Sequence, residues 1–191
     1  MYKILVLLII TFILSGCMNV ATSGAQAVYN QHSLRKTIND QYITSHAYNL
    51  LYEKSIQFKD TSISVSTLNS EVLLSGQVPT RWQKIKAEKI IKAIPGVTAV
   101  YNAITISGSS SALTSVSDTW ITTKIKAKLI AADDIDATQI KVVTENGTVF
   151  LMGIVPPEEA IAATDIASNT DGVLKVVRLF SYIKLTKHLY S

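Results

Sequence analysis

The stretch Ile63-Ser-Val-Ser-Thr-Leu-Asn-Ser-Glu-Val-Leu-Leu-Ser-Gly-Gln-Val-Pro79 decides the fold, because the chain carries a second version of it. Laid over Ile140-Lys-Val-Val-Thr-Glu-Asn-Gly-Thr-Val-Phe-Leu-Met-Gly-Ile-Val-Pro156, it agrees at Ile63, Val65, Thr67, Asn69, Val72, Leu74, Gly76, Val78 and Pro79. Apolar residues alternate on either side of Asn69-Ser70 and of Asn146-Gly147, the pattern of two strands joined by a tight hairpin. A type I′ turn needs positive φ at both central residues, so Asn-Gly suits it better than Asn-Ser. The agreement continues outward in register. Asp40-Gln-Tyr-Ile-Thr44 lies over Asp118-Thr-Trp-Ile-Thr122, and Pro95-Gly-Val97 over Asp171-Gly-Val173. Agreement across three elements indicates a duplicated module.

Each copy reads helix, strand, strand, helix, strand. In the second, Asp118 is placed to cap a helix from Thr119 to about Ala131, in which Ile121, Ile125 and Leu129 form one apolar stripe. Strands follow near Gln139–Glu145 and Thr148–Val155. Pro156-Pro-Glu-Glu159 suits a helix start, since proline loses no hydrogen bond there and carboxylates favour the positive end. Ala160, Ala163, Ile166 and Ala167 continue that helix, Gly172 stops it, and Val173–Ile183 returns as the last strand. The expected class is α+β: two tandem αββαβ sandwiches, each with its helices on one face of a three-stranded mixed sheet.

The expected organisation is a signal segment over 1–16, a flexible tether over 17–37, a first domain over 38–107, a Ser-rich linker over 108–117, a second domain over 118–184 and a basic tail over 185–191. Lys3 followed by the apolar run Ile4–Leu14 is too short for an ordinary membrane span. It ends in Leu14-Ser-Gly-Cys17, which presents the chain's only cysteine after two small residues. That is the pattern of a bacterial lipoprotein signal, so Cys17 reads as a lipidated anchor; a cleaved, non-lipidated signal and a short uncleaved anchor are the other readings of the segment. The domains then lie outside the cytoplasm, and Met18, where an inner-membrane lipoprotein usually has Asp, favours the outer membrane with the domains facing the periplasm.

The net charge of +4 argues weakly for an anionic surface and against a dedicated nucleic-acid binder. Nothing points to an enzyme, a metal centre or a cofactor. His32, His46 and His188 are scattered, Asp133, Asp134 and Asp136 lack the other ligands of a calcium loop, and there is no nucleophile elbow or phosphate loop. Gly76 and Gly153 read as places where a helix closely approaches a strand.

Two surfaces carry the functional expectations. On the first helix of the second copy, Trp120, Thr123, Lys124, Ala127 and Lys128 flank the apolar stripe, with Lys126 further round. An indole beside ammonium groups suits an anionic membrane, since Trp enters the headgroup zone and lysines attract phosphate. Composition alone also allows Trp120 to fill the edge of the core, with the lysines as a solvated face. The first copy has Tyr42, His46 and Leu50 at these places and instead clusters Arg81, Trp82, Lys84, Lys86, Lys89 and Lys92 in its second helix. The other surface is the outer face of the second hairpin, with Val143, Phe150, Met152 and Ile154. An apolar sheet face needs a cover, either the first copy, a terminal segment or an outside protein; the last would make the chain a protein-binding scaffold for envelope assembly machinery, the alternative to lipid binding.

With Cys17 and residues 38–183 taken together, the chain resembles outer-membrane lipoproteins that carry two BON domains. The resemblance is strongest at Asp118-Thr-Trp-Ile-Thr-Thr-Lys124, Val142-Val-Thr-Glu-Asn-Gly147, Val149-Phe-Leu-Met-Gly153 and Ala163-Thr-Asp-Ile-Ala167. It implies a non-enzymatic, periplasm-facing protein that maintains outer-membrane integrity and is enriched at division sites. It implies binding of anionic phospholipids such as phosphatidylglycerol or cardiolipin through Asp118 to about Leu129, with Trp120 as the wedge. Outer-membrane assembly or division-linked envelope proteins are further implied partners.

Overall fold

Both hairpins form where the repeat places them. The computed structural model describes residues 24–107 and 112–182, and all packing described below falls within the unit Lys36–Ser191. Cys17, the signal segment and the basic tail lie outside the described residues. The first domain comprises α1 (Gly24–Tyr48), β1 (Ser62–Leu68), β2 (Glu71–Val78), α2 (Arg81–Lys92), β3 (Ala99–Asn102) and β4 (Thr105–Ile106). The second comprises α3 (Ala112–Ile130), β5 (Ile140–Glu145), β6 (Thr148–Val155), α4 (Pro157–Ser168) and β7 (Lys175–Tyr182). No helix among the described residues is long and apolar enough to cross a membrane.

In each domain the middle strand pairs antiparallel with its hairpin partner and parallel with the last strand. The order is β1-β2-β3 in one sheet and β5-β6-β7 in the other. The second sheet has the expected three strands; the first has four, because β4 also pairs with β2. The cause is Asn102, whose Nδ2 donates to the Lys84 carbonyl and to Glu88 Oε2, both at 3.0 Å, pulling the chain toward α2. Ile104 then drops into the core at 1% exposure. The same register resumes at Gln77↔Thr105, so the fourth strand is the third one resumed after a kink.

Helix spacing of four builds both cores. Ile43, Ala47 and Leu51 from the first domain, and Ile121, Ile125 and Leu129 from the second, are essentially inaccessible. They pack on alternate residues of the hairpins, Ile63, Val65, Val72, Leu74 and Val78 in one domain and Ile140, Val142, Val149, Leu151 and Val155 in the other. A threonine pair ties helix to sheet in each copy. Thr44 Oγ1 donates to Thr67 Oγ1 at 2.8 Å, and Thr122 meets Thr144 at 2.7 Å.

Two local expectations are corrected and one open alternative is decided. First, Asp118 does not cap a helix, because α3 starts earlier, at Ala112 inside the expected linker, and α1 likewise begins at Gly24 inside the expected tether. The segments 25–38 and 112–130 contain no glycine or proline to stop a helix. Asp118 instead clamps the hairpin. Its carboxylate accepts the N–H groups of Asn146 at 2.7 Å and Gly147 at 2.9 Å. Asp40 does the same for Asn69 and Ser70, both at 2.8 Å. The four turn residues all have positive φ, so the clamp holds Ser70 at φ 68° against its side chain's preference.

Second, the close contact at Gly76 is with the neighbouring strand, and that at Gly153 is with the turn leading into β5, not with a helix. A Cβ on Gly76 would stand 1.9 Å from the Ser62 carbonyl oxygen, and one on Gly153 would stand 2.7 Å from that of Gln139.

The cover of the second hairpin's outer face, which the sequence left open among three, is the first copy and not an outside protein. Phe150 and Met152 are 7% and 1% exposed and pack with Leu73 of the first domain. Val143, Val177 and Leu179 on one side and Leu68, Tyr101 and Ala103 on the other complete this cluster, and Ile154 is half-buried. Two cross-domain bonds edge it: Lys141 Nζ donates to the Thr67 carbonyl at 2.9 Å, and Ser181 Oγ to Glu71 Oε1 at 3.2 Å. The first copy therefore covers this face, with apolar residues in the middle and polar pairs at the rim.

Candidate membrane interface

The outward side of α3 follows from its inward one. With Ile121, Ile125 and Leu129 buried, residues at the remaining helical angles must face away from the sheet. Trp120 is 55% exposed, so its indole is not sealed into the core edge. Thr123, Ala127 and Lys126 are exposed beside it. The Lys124 ammonium lies 3.9 Å from the centroid of the Trp120 ring, a cation held over the negative face of the indole.

The lysines are not equivalent. Lys124 Nζ also reaches Asp171 Oδ2 at 3.1 Å, and this ammonium holds the Asp171 carboxyl below the usual aspartate range. Lys128 Nζ donates to the Asn169 carbonyl at 3.2 Å and to Thr170 Oγ1 at 2.9 Å, closing the C-terminal end of α4. Lys126 makes no ion pair among the described residues. The Thr123 hydroxyl folds back onto the Thr119 carbonyl at 2.9 Å. The arrangement therefore offers one indole, one free ammonium, one ammonium shared between indole and carboxylate, and one engaged in holding α4.

Sequence reasoning missed the ends of this surface. Val116 stands one turn before Trp120 and is 70% exposed, and Ile130 is 75% exposed. With Trp120, Thr123 and Ala127 they form one outward row. Val116 was hidden by taking the helix to start at Thr119. Leu174, 83% exposed, sits in the loop after Gly172, where its side chain comes within 2.8 Å of a Cβ placed on Gly147. Its only sequence signal is an apolar residue directly before the charged strand start at Lys175.

Charge around the domain contact is partly buried. Burial pushes the Lys141 ammonium below the ordinary lysine range. Burial raises the Glu145 carboxyl, and the nearby Asp118 carboxylate adds to the rise. Both line a cleft of about 520 Å³ beside α3, together with Asp118, Lys126 and several hydroxyl groups. No cluster of three His, Cys, Asp or Glu residues among those described is arranged to hold a metal ion.

Comparison with known proteins adds family membership. The model of the BON domain matches residues 39–108 and again 117–184. The outer membrane lipoprotein DolP of Haemophilus influenzae is 36% identical, over 95% of this chain and 96% of that one. A 21 kDa hemolysin of Actinobacillus pleuropneumoniae is 42% identical over 72% of this chain and 71% of its own length. The osmotically-inducible protein Y of Escherichia coli is 31% identical over 81% and 78% respectively.

Proposed function

This chain belongs to the DolP family of BON-domain proteins and is not an enzyme, and we propose that it binds anionic phospholipid through α3 of its second domain. The observation that carries this reading is the half-exposed Trp120 ring with the Lys124 ammonium over its face, on a helix whose opposite side is locked into the core. An indole that stays in water forgoes the burial its ring would gain in a headgroup layer, where its N–H can still donate. Val116 and Ala127 extend the apolar contact along the row, while Lys124 and Lys126 stand at its sides. Each lysine near an anionic surface contributes about 1 kcal/mol, enough for selectivity without tight binding.

Location follows the same reading. A relative that covers nearly the whole chain is named an outer membrane lipoprotein, and Cys17 stands where a lipid anchor would be attached. The protein is then anchored by Cys17 in the outer membrane with both domains in the periplasm. There it supports envelope integrity at division sites, in contact with phosphatidylglycerol or cardiolipin. An anchor supplies high local lipid concentration, so a weak second contact suffices to hold the domain against the bilayer.

The test is sedimentation of the soluble unit from Lys36 onward with vesicles. Binding is expected on phosphatidylcholine containing phosphatidylglycerol or cardiolipin, and not on phosphatidylcholine alone. Trp120→Ala should weaken it by about tenfold, the loss of most of an indole's burial. Equal binding by Trp120→Ala and the parent chain would overturn the reading.

A further inference from the structure

The two second helices have diverged in opposite directions. In α4 of the second domain the charged residues are Glu158, Glu159 and Asp165, with no base. In α2 of the first they are Arg81, Lys84, Lys86, Lys89 and Lys92 against the single acid Glu88. Yet α2 is also the helix that exposes large apolar groups: Trp82 is 53% exposed and Ile85 56%. Its inward side is fixed by Ala87 and Ile91, both fully buried. At 100° per residue this places Ile85, Lys89 and Trp82 at the centre of the outward face. Arg81 and Lys92 flank one side and Lys86 the other.

The geometry assigns α2 as a second contact surface for an anionic phospholipid bilayer. The inference rests on the membrane reading of α3 but uses a different helix in a different domain. Glu88 is already satisfied by Lys92 Nζ at 2.6 Å and Asn102 Nδ2 at 3.0 Å, which hold its carboxyl below the usual range. Arg81, Lys84, Lys86 and Lys89 make no ion pair among the described residues. The face thus sets the apolar Trp82 and Ile85 on either side of Lys89, with Arg81 and Lys86 as further cations outside any ion pair, which complements acyl chain beneath phosphate. On α3, by contrast, Asp171 and the end of α4 already engage two of the three lysines. The helix is also rigidly mounted. Thr80 and Gln83 form a reciprocal cap at its start, and Gln83 Nε2 donates to the Gln57 carbonyl at 2.9 Å. A mounted helix presents its wedge without paying to fold on the membrane.

Trp82 and Trp120 are the chain's two tryptophans, so each can be read alone. The experiment uses the full chain carrying Trp120→Phe, with Trp82 emission followed on phosphatidylcholine vesicles with and without phosphatidylglycerol bearing brominated acyl chains. The expected result is a blue shift and quenching of Trp82 only when phosphatidylglycerol is present, and loss of both in the added double variant Lys86→Glu, Lys89→Glu. The milder Lys86→Gln, Lys89→Gln pair should reduce the response with the same circular dichroism as the parent. Unshifted, unquenched Trp82 on phosphatidylglycerol overturns the inference, as does an equal response on phosphatidylcholine alone. The Trp82→Phe chain separates the two readings. If its Trp120 responds while Trp82 does not, α2 alone is refuted; if neither responds, the reading of α3 falls as well.

Discussion

A single carboxylate in each domain does the work of a turn-specific clamp. Asp118 is buried and accepts two N–H groups from a turn whose residues, Asn146 and Gly147, both sit at positive φ. Charge-assisted bonds of this kind are worth about 1.5–3 kcal/mol each when one partner is deleted. Asp118→Ala should therefore lower the unfolding free energy of the second domain by about 3 kcal/mol, measured by urea titration. Asp171 plays the opposite part. It shares the Lys124 ammonium that an anionic headgroup would otherwise take. Asp171→Asn should tighten binding to phosphatidylglycerol vesicles severalfold and leave stability unchanged, since exposed ion pairs contribute little. The repeated aspartate was legible in the sequence as a repeated feature, but not as a clamp. An acid ahead of an apolar helix reads as a cap, and only the folded hairpin shows the donors it faces.

At the level of elements, the hairpins and both helical stripes were readable because one face of each is buried and the period of burial is fixed by geometry. The start of α3 was not. Residues 115–117 are all exposed and add nothing to the buried stripe, so their helicity comes from continuity with the turns that pack. The lost turn contained Val116, so that end of the contact row was missed. Because Trp120 points away from the core, Trp120→Ala should change the unfolding midpoint little, within about 0.5 kcal/mol, while it reduces vesicle binding. A variant that lost both together would place the ring in the core. The break between β3 and β4 was equally hidden, since Asn102 looks like any strand residue until its amide finds the Lys84 carbonyl and Glu88.

The two domains meet at the sheet face whose cover the sequence left open. Alternation showed that Phe150 and Met152 face away from their own helices, but what lies across from them is a tertiary fact. Leu73 supplies it, fully buried among residues of both domains. Leu73→Ala should cost about 2–5 kcal/mol and split a single calorimetric transition into two, as each domain melts on its own core. Two part-buried charged residues on β5 make stability sensitive to pH. Glu145 has its folded pKa raised above the ordinary 4.5, mainly by burial. Its contribution is then fully present below that value and is lost as pH rises through the folded one. Glu145→Gln should be more stable than the parent at neutral pH, with the advantage shrinking as pH falls toward 4.5. Urea midpoints across that range check the sign. Lys141, lowered by burial, acts in the alkaline range, where stability should rise with pH between its folded value and 10.5. Whether the helix locked inward by Ile121, Ile125 and Leu129 meets anionic lipid with its other side is read from backbone amide shifts titrated with phosphatidylglycerol micelles. Perturbations are expected along residues 116–130, centred on Trp120. A titration that leaves those amides unmoved while others shift would contradict lipid contact through α3.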